Sequence, residues 1–254
     1  MSASSMVNEH RTQLMQLRAL ADTDVAAVLR AVSGGPVASV RDALIEALPE
    51  VLAPYLTASG ELAAAFIEDL RMEAGRRGVF YAETAPVGIP PAKVEATARW
   101  AVAPLLDESV QSTVESRLSG SVARSIMDAS RDTMLLNGGQ QGIKFQRMPR
   151  PGCCAFCGML ASRPPWMAYK SGVSAGGAVQ YERGGVSWSG TASHDECHCV
   201  VVPLYPGTEM ASLAAATRHD FEEMYQQSNN DGAGTSLSAT KDILAEWRRY
   251  HGTR

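Results

Sequence analysis

The chain has 254 residues, 45% hydrophobic and 20% charged, with a formal net charge of −4. That composition is globular, the length allows one large core or two modest ones, and a pI near 5.8 argues against capture of nucleic acid by phosphate neutralisation, which calls for a basic patch. No apolar run approaches the roughly 18 to 20 residues that span a bilayer, and the opening residues Met1–His10 show neither a basic n-region nor an apolar h-region, so no secretory signal is expected.

The first part reads as helix almost throughout. Leu14, Leu17, Ala21, Val25, Val28 and Val32 trace one helical face before Gly34, Gly35 and Pro36 stop it. Val40 to Leu56 carries Pro49 and Pro54, which predicts a kinked or broken helix. Ser59 then opens another with Leu62, Phe66, Ile67 and Leu70, ending at Gly75-Arg76-Arg77-Gly78, where cations suit the negative helix end and glycine permits a left-handed cap. After a proline-rich bend from Ala85 to Pro91, the pattern resumes over Lys93 to Leu106 with Trp100 as the expected buried anchor. The longest pattern runs from Asp107 to Asn137, with Val110, Val114, Leu118, Val122 and Ile126 four apart. A helix of about 30 residues would be roughly 45 Å long, so it is expected either to bend at Gly120 or to act as a strut.

Gly138, Gly139 and Gly142 make a poor helix and an easy hinge. The expected division is therefore a helical domain over 1–137, a β-rich metal-binding module over 138–206, and a C-terminal helical segment over 207–254 with a linker at 228–236. Within the module, Ile143 to Met148 and Cys199 to Tyr205 read as strands, and Val179 to Ser189 alternates about Gly184 and Gly185 as a β-hairpin. Beyond Pro206 and Gly207, Met210, Leu213, Ala214, Phe221 and Met224 restore helical spacing, and Leu237 to Tyr250 forms a last amphipathic helix on Ile243, Leu244 and Trp247. A terminal helix behind a linker has too little surface to fold alone, so it must dock. The class expected is α+β: a mainly helical N-terminal body with a long helix, a small zinc-stapled β module, and C-terminal helices.

All five cysteines, Cys153, Cys154, Cys157, Cys197 and Cys199, lie in that module, together with His194. A soft divalent ion takes sulfur and imidazole ligands at tetrahedral corners, commonly as two pairs each close in sequence. Cys154 and Cys157 make a C-x-x-C knuckle, and His194 with Cys197 supplies the other pair, with Cys199 close behind as a fifth candidate. Cys153 has the less usual spacing, and His198 alternates away from its neighbours in an extended segment. Gly158, just after the knuckle, is expected to let the chain turn so that backbone N–H groups face thiolate sulfur. A short module rich in glycine and proline needs such a staple, and structural zinc supplies on the order of 10 to 16 kcal/mol of apparent free energy in small zinc-finger peptides. Crowded cysteines with adjacent Cys153 and Cys154 make an odd disulfide framework, so ligation in a reducing compartment is favoured.

Catalytic readings fit less well. A redox C-x-x-C belongs beside a βαβ pattern, which does not precede Cys154. A Cys–His nucleophile would need an orienting group, and Asp195 adjoins His194 in sequence, a poor geometry for the task. No Walker A loop, G-x-G-x-x-G, H-E-x-x-H or G-x-S-x-G occurs, so catalytic and organic-cofactor residues are expected to be none.

The segments Arg150–Arg163 (RPGCCAFCGMLASR) and His194–Cys199 (HDECHC), followed by the valine strand and preceded by a long helix ending at Asp128-Ala129-Ser130-Arg131-Asp132-Thr133, resemble phage minor head proteins related to the F protein of phage Mu, in the form encoded beside the portal gene in actinobacterial phages. The resemblance covers Val110 to Tyr205. It implies zinc on Cys154, Cys157, His194 and Cys197, although Asp195, Glu196 and His198 stand where many members carry proline or arginine. It further implies a structural virion component inside the head at the portal vertex, present in the host cytoplasm during assembly, acting in head assembly or DNA packaging and delivery. The implied partners are the portal protein or the major capsid protein, with room for self-association and for contact with packaged DNA, and no membrane. Some relatives are labelled capsid maturation proteases, which is the alternative function.

Overall fold

The computed structural model describes residues 1–107, 112–167, 198–229 and 240–252. Seven α-helices among them are α1 (Ala3–Val32), α2 (Val37–Glu73), α3 (Pro91–Val102), α4 (Val114–Gln141), α5 (Ala155–Ala161), α6 (Glu209–Asn229) and α7 (Thr240–His251), and the strands are β1 (Lys144–Met148), β2 (Trp166–Met167) and β3 (Val200–Leu204). The α+β class expected from the sequence is the one observed.

Helices α1, α2 and α4 form the body. Ser2 caps α1 by accepting from the Ser5 N–H at 3.2 Å, and Leu14, Ala21 and Val25 of the expected stripe are buried, with Leu17, Val28 and Val32 packed at its edge. Helix α2 is not broken: it is continuous through Pro49 and Pro54. Each internal proline costs about 3 kcal/mol, yet Val40, Leu44, Leu48, Leu52 and Leu56 keep their four-residue step across both and are all buried, so packing holds one helix where propensity argues for two. Ser59 accordingly opens nothing; its hydroxyl donates to the Ile126 carbonyl of α4 at 2.7 Å. The end of α2 follows its glycine, with Gly75 at φ 61° and the N–H groups of Gly75 and Arg76 donating to Met72 and Arg71 carbonyls as in a Schellman cap.

Helix α4 starts behind Thr113, whose side chain and that of Ser116 cap each other's backbone reciprocally. It is a buried core helix packed against α1, α2 and α3. Its C-terminus corrects the hinge reading, because Gly138 and Gly139 are helical and buried and the left-handed cap is Gly142 at φ 63°. A Cβ on Gly138 would overlap the Phe145 ring of β1, so the missing side chain serves close packing between helix and strand. Trp100 is a second correction: it is 40% exposed, with the Arg117 guanidinium 4.7 Å from its ring centre, while Val94, Ala98, Ala101 and Val102 face the core. The Glu83 to Ala85 backbone is laid on α4 by Asn137, which exchanges two hydrogen bonds with Glu83, and by Thr133, which accepts from the Ala85 N–H.

The sheet is antiparallel in the order β2-β1-β3, with Phe145 opposite Pro203 and Met148 opposite Val200 in the central pair. Nearly every residue of β1 and β3 is buried without alternation, as expected for strands covered on both faces: α1, α2 and α4 contact the sheet, as do α5 and α6. One apolar cluster runs from α1 through the sheet to Met210 and Ala214 of α6. The hairpin expected over 179–189 lies outside the described residues.

Candidate metal centre

The first cysteine segment is set by a turn and a helix. Pro151 and Gly152 occupy the middle of a turn closed by the Cys153 N–H donating to the Arg150 carbonyl at 3.1 Å, with Gly152 at φ 67°, a type II arrangement that requires glycine there. Cys154 is then the N-cap of α5, and its Sγ accepts from the Cys157 N–H at 3.4 Å. This is the N–H to sulfur contact expected of the C-x-x-C knuckle, though it comes from the first turn of a helix and needs nothing from Gly158. Gly158 has another role: a Cβ there would stand 2.5 Å from Cζ2 of Trp247, so the position admits the indole of α7.

Cys199 arrives from the other side at the foot of β3. Cys153, Cys157 and Cys199, exposed by 6%, 2% and 1%, form one buried cluster, with Cys154 packed against it. Of the five expected ligands, the structure therefore gathers Cys154, Cys157 and Cys199, and adds Cys153; His194 and Cys197 lie outside the described residues. Among the described residues no group of three or more His, Cys, Asp or Glu side chains has metal-holding geometry. His198 is buried and faces α1, its Nε2 3.4 Å from Nη1 of Arg18.

The sequence reading missed the arginines that hold the two segments together. Arg11 of α1 donates to the Met148 carbonyl at 3.1 Å, the Pro149 carbonyl at 3.3 Å and the His198 carbonyl at 3.2 Å, so one guanidinium bridges the end of β1, which leads to Cys153, and the residues at Cys199 that lead into β3. From α4, Arg131 donates to the Cys199 carbonyl at 3.1 Å and pairs with Asp128 at 2.9 Å, although only 1% exposed. Burial lowers the pKa of Arg11, and the neighbouring Cys199 works in the opposite direction. A planar fork with five donors suits carbonyl oxygens spread over two strands. The available signal was Arg131 beside the apolar positions of the α4 pattern.

On the far side, α5 is covered by α6 and α7. Ala155, Met159 and Trp247 are buried together, with Phe156, Leu160, Phe221 and Leu244 at the edge. The side-chain amide of Gln146, fully buried on β1, donates to the Ala161 carbonyl at 2.8 Å and ties the end of α5 to the sheet.

The sequence matches the VG15 protein family over residues 1–228. The chain belongs to the VG15 family. That family is phage-associated, which makes this a phage protein and directs its function toward the virion. The match takes in the helical body, the cysteine segments, the sheet and most of α6, and ends before α7. No curated protein and no solved structure matches this VG15 chain. No helix among its described residues is long and apolar enough to cross a membrane.

Proposed function

We propose that this VG15 protein is a minor head protein of the Mu F-like kind: a structural component inside the phage head at the portal vertex, contacting the portal or major capsid protein. The match across residues 1–228 carries this reading, and the Arg150–Arg163 and His194–Cys199 segments favour the Mu F-like form. The burial of three of the four described cysteines supports a scaffold over a catalyst, since a nucleophilic thiolate must meet its substrate and Cys153, Cys157 and Cys199 are at most 6% exposed, with Cys154 half-buried. Zinc is the proposed staple, on four of Cys154, Cys157, His194, Cys197 and Cys199. The donor set suits it, because Cys157 and Cys199 are buried in one cluster with the half-buried Cys154 packed against them, and the Cys157 N–H is directed at the Cys154 sulfur. Bound there, the ion would join the α5 segment to the start of β3 and take no part in a reaction.

Mass spectrometry and cryo-EM of purified heads test the reading. A folded copy near the portal, with heads failing to form or fill in a deletion phage, is the expected result. A protein missing from finished heads, whose deletion leaves the major capsid protein unprocessed, would overturn it in favour of the maturation protease.

A further inference from the structure

A cleft of about 440 Å³ lies between the first turns of α1 and the last turns of α2, away from the cysteines. Its apolar lining comes from Met6, Leu62, Phe66 and Met72, with Met72 74% exposed. Three carboxylates, Glu9 of α1 and Asp69 and Glu73 of α2, stand around these groups, and all three are exposed. None is ion-paired among the described residues, and no lysine or arginine is among the described residues that line the cleft. His10 lies on the floor, 2% exposed, stacked on Phe66 at 4.4 Å with Nε2 3.3 Å from the Ser130 hydroxyl, and its buried Nδ1 makes no hydrogen bond. Burial, then the charge of Arg11, holds its pKa down to about 4, so it adds no positive charge at neutral pH.

An apolar trough bounded by unneutralised carboxylates on both helices selects its occupant by charge. From Leu62 to Glu73 the α2 wall is about 17 Å long, the length of three helical turns. We propose that this cleft is a docking site for a short basic amphipathic helix of a partner protein, seating apolar side chains on Met6, Leu62 and Met72 and setting Lys or Arg against Glu9, Asp69 and Glu73. The helix-in-groove mode supplies the anchors at i, i+3, i+4 and i+7 that such a trough takes.

Fluorescence anisotropy with the full chain tests this, using a labelled amphipathic Leu/Lys helical peptide and its Leu/Glu counterpart. The Lys peptide is expected to bind and the Glu peptide not to bind. The Glu9→Gln, Asp69→Asn, Glu73→Gln triple variant is expected to weaken binding at least tenfold, and Ala65→Arg, which adds a cation at an exposed lining position, to weaken it similarly. A charge-matched control at the other end of α2, Asp42→Asn, Glu46→Gln and Glu50→Gln, should leave binding unchanged. Absence of Lys-peptide binding, equal binding of the Glu peptide, or equal weakening by cleft and control variants would overturn the proposal.

Discussion

The indole of Trp247 occupies the space a side chain on Gly158 would need, with Cζ2 2.5 Å from where that Cβ would stand. A residue of the cysteine knuckle helix and a residue near the chain's end are thus matched in shape, although 89 positions apart by subtraction of their numbers. This contact is what docks α7: Trp247 is fully buried, between Phe221 at 6.3 Å and the edge-on His251 ring at 5.6 Å.

Replacing Gly158 by Ala gains about 1 kcal/mol of helix propensity but drives a methyl group into the indole, and overpacking costs about 1 to 3 kcal/mol. Since α7 packs on α5 and α6 and is not one of the helices that form the body, it is the element expected to yield. Hydrogen exchange should show α7 losing protection in Gly158→Ala while α1, α2 and α4 keep theirs. Trp247→Ala should do the same more strongly, by about 3 to 5 kcal/mol of docking.

Gly138 and Phe145 give a parallel case inside the core. Gly138→Ala should lower stability in urea by about 1 to 3 kcal/mol or more, because the ring is enclosed and 0% exposed. Combining it with Phe145→Leu should cost less than the sum of the single changes, since the smaller side chain vacates the contested space.

For the metal centre, about one zinc per chain is expected by elemental analysis of protein purified without chelators. The Cys154→Ser, Cys157→Ser double variant should lose the ion and the order of α5 and β3. Circular dichroism should still report most of the helix, which α1, α2 and α4 contribute. A fully folded, metal-free double variant would remove zinc from the proposal.

Arg131→Met keeps the stem's packing and removes the charge. The Cys199 carbonyl then loses a buried donor and Asp128 one of its partners, Lys93 remaining at 3.5 Å, which costs about 2 to 4 kcal/mol. Urea unfolding measures it, and Arg11→Met should add a further loss concentrated at the two cysteine segments.

The pH dependence follows from His10, whose pKa falls from 6.5 to about 4 on folding, through burial first and Arg11 second. A histidine that resists protonation in the fold binds fewer protons than the unfolded chain between those values, so the His10 contribution is full above pH 6.5 and declines as pH falls toward about 4, opposed by Asp132, whose pKa burial and then Asp128 raise to about 6. The loss is about 3 kcal/mol at most. His10→Phe, which keeps the stack on Phe66, should remove this step from urea titrations at pH 7.5, 5.5 and 4.5.

By itself the sequence determined the long body helices, α6 and α7, and where β1 and β3 run, because periodicity is a local property of the chain; it did not show α5, which lies in a segment whose pattern reads as part of a β-rich module. The places where it misled are the places where a distant partner decides. Two prolines read as a kink or a break lie in the interior of a continuous α2 because the leucine column against α1 and α4 outweighs their local cost. Glycines read as a hinge and as a metal-knuckle turn proved to be seats for Phe145 and Trp247, since an absent side chain looks alike whether it frees the backbone or admits a ring. Only the tertiary structure could place Arg11 and Arg131 on the cysteine segments, because nothing local tells a buried arginine satisfied by distant carbonyls from one turned to solvent.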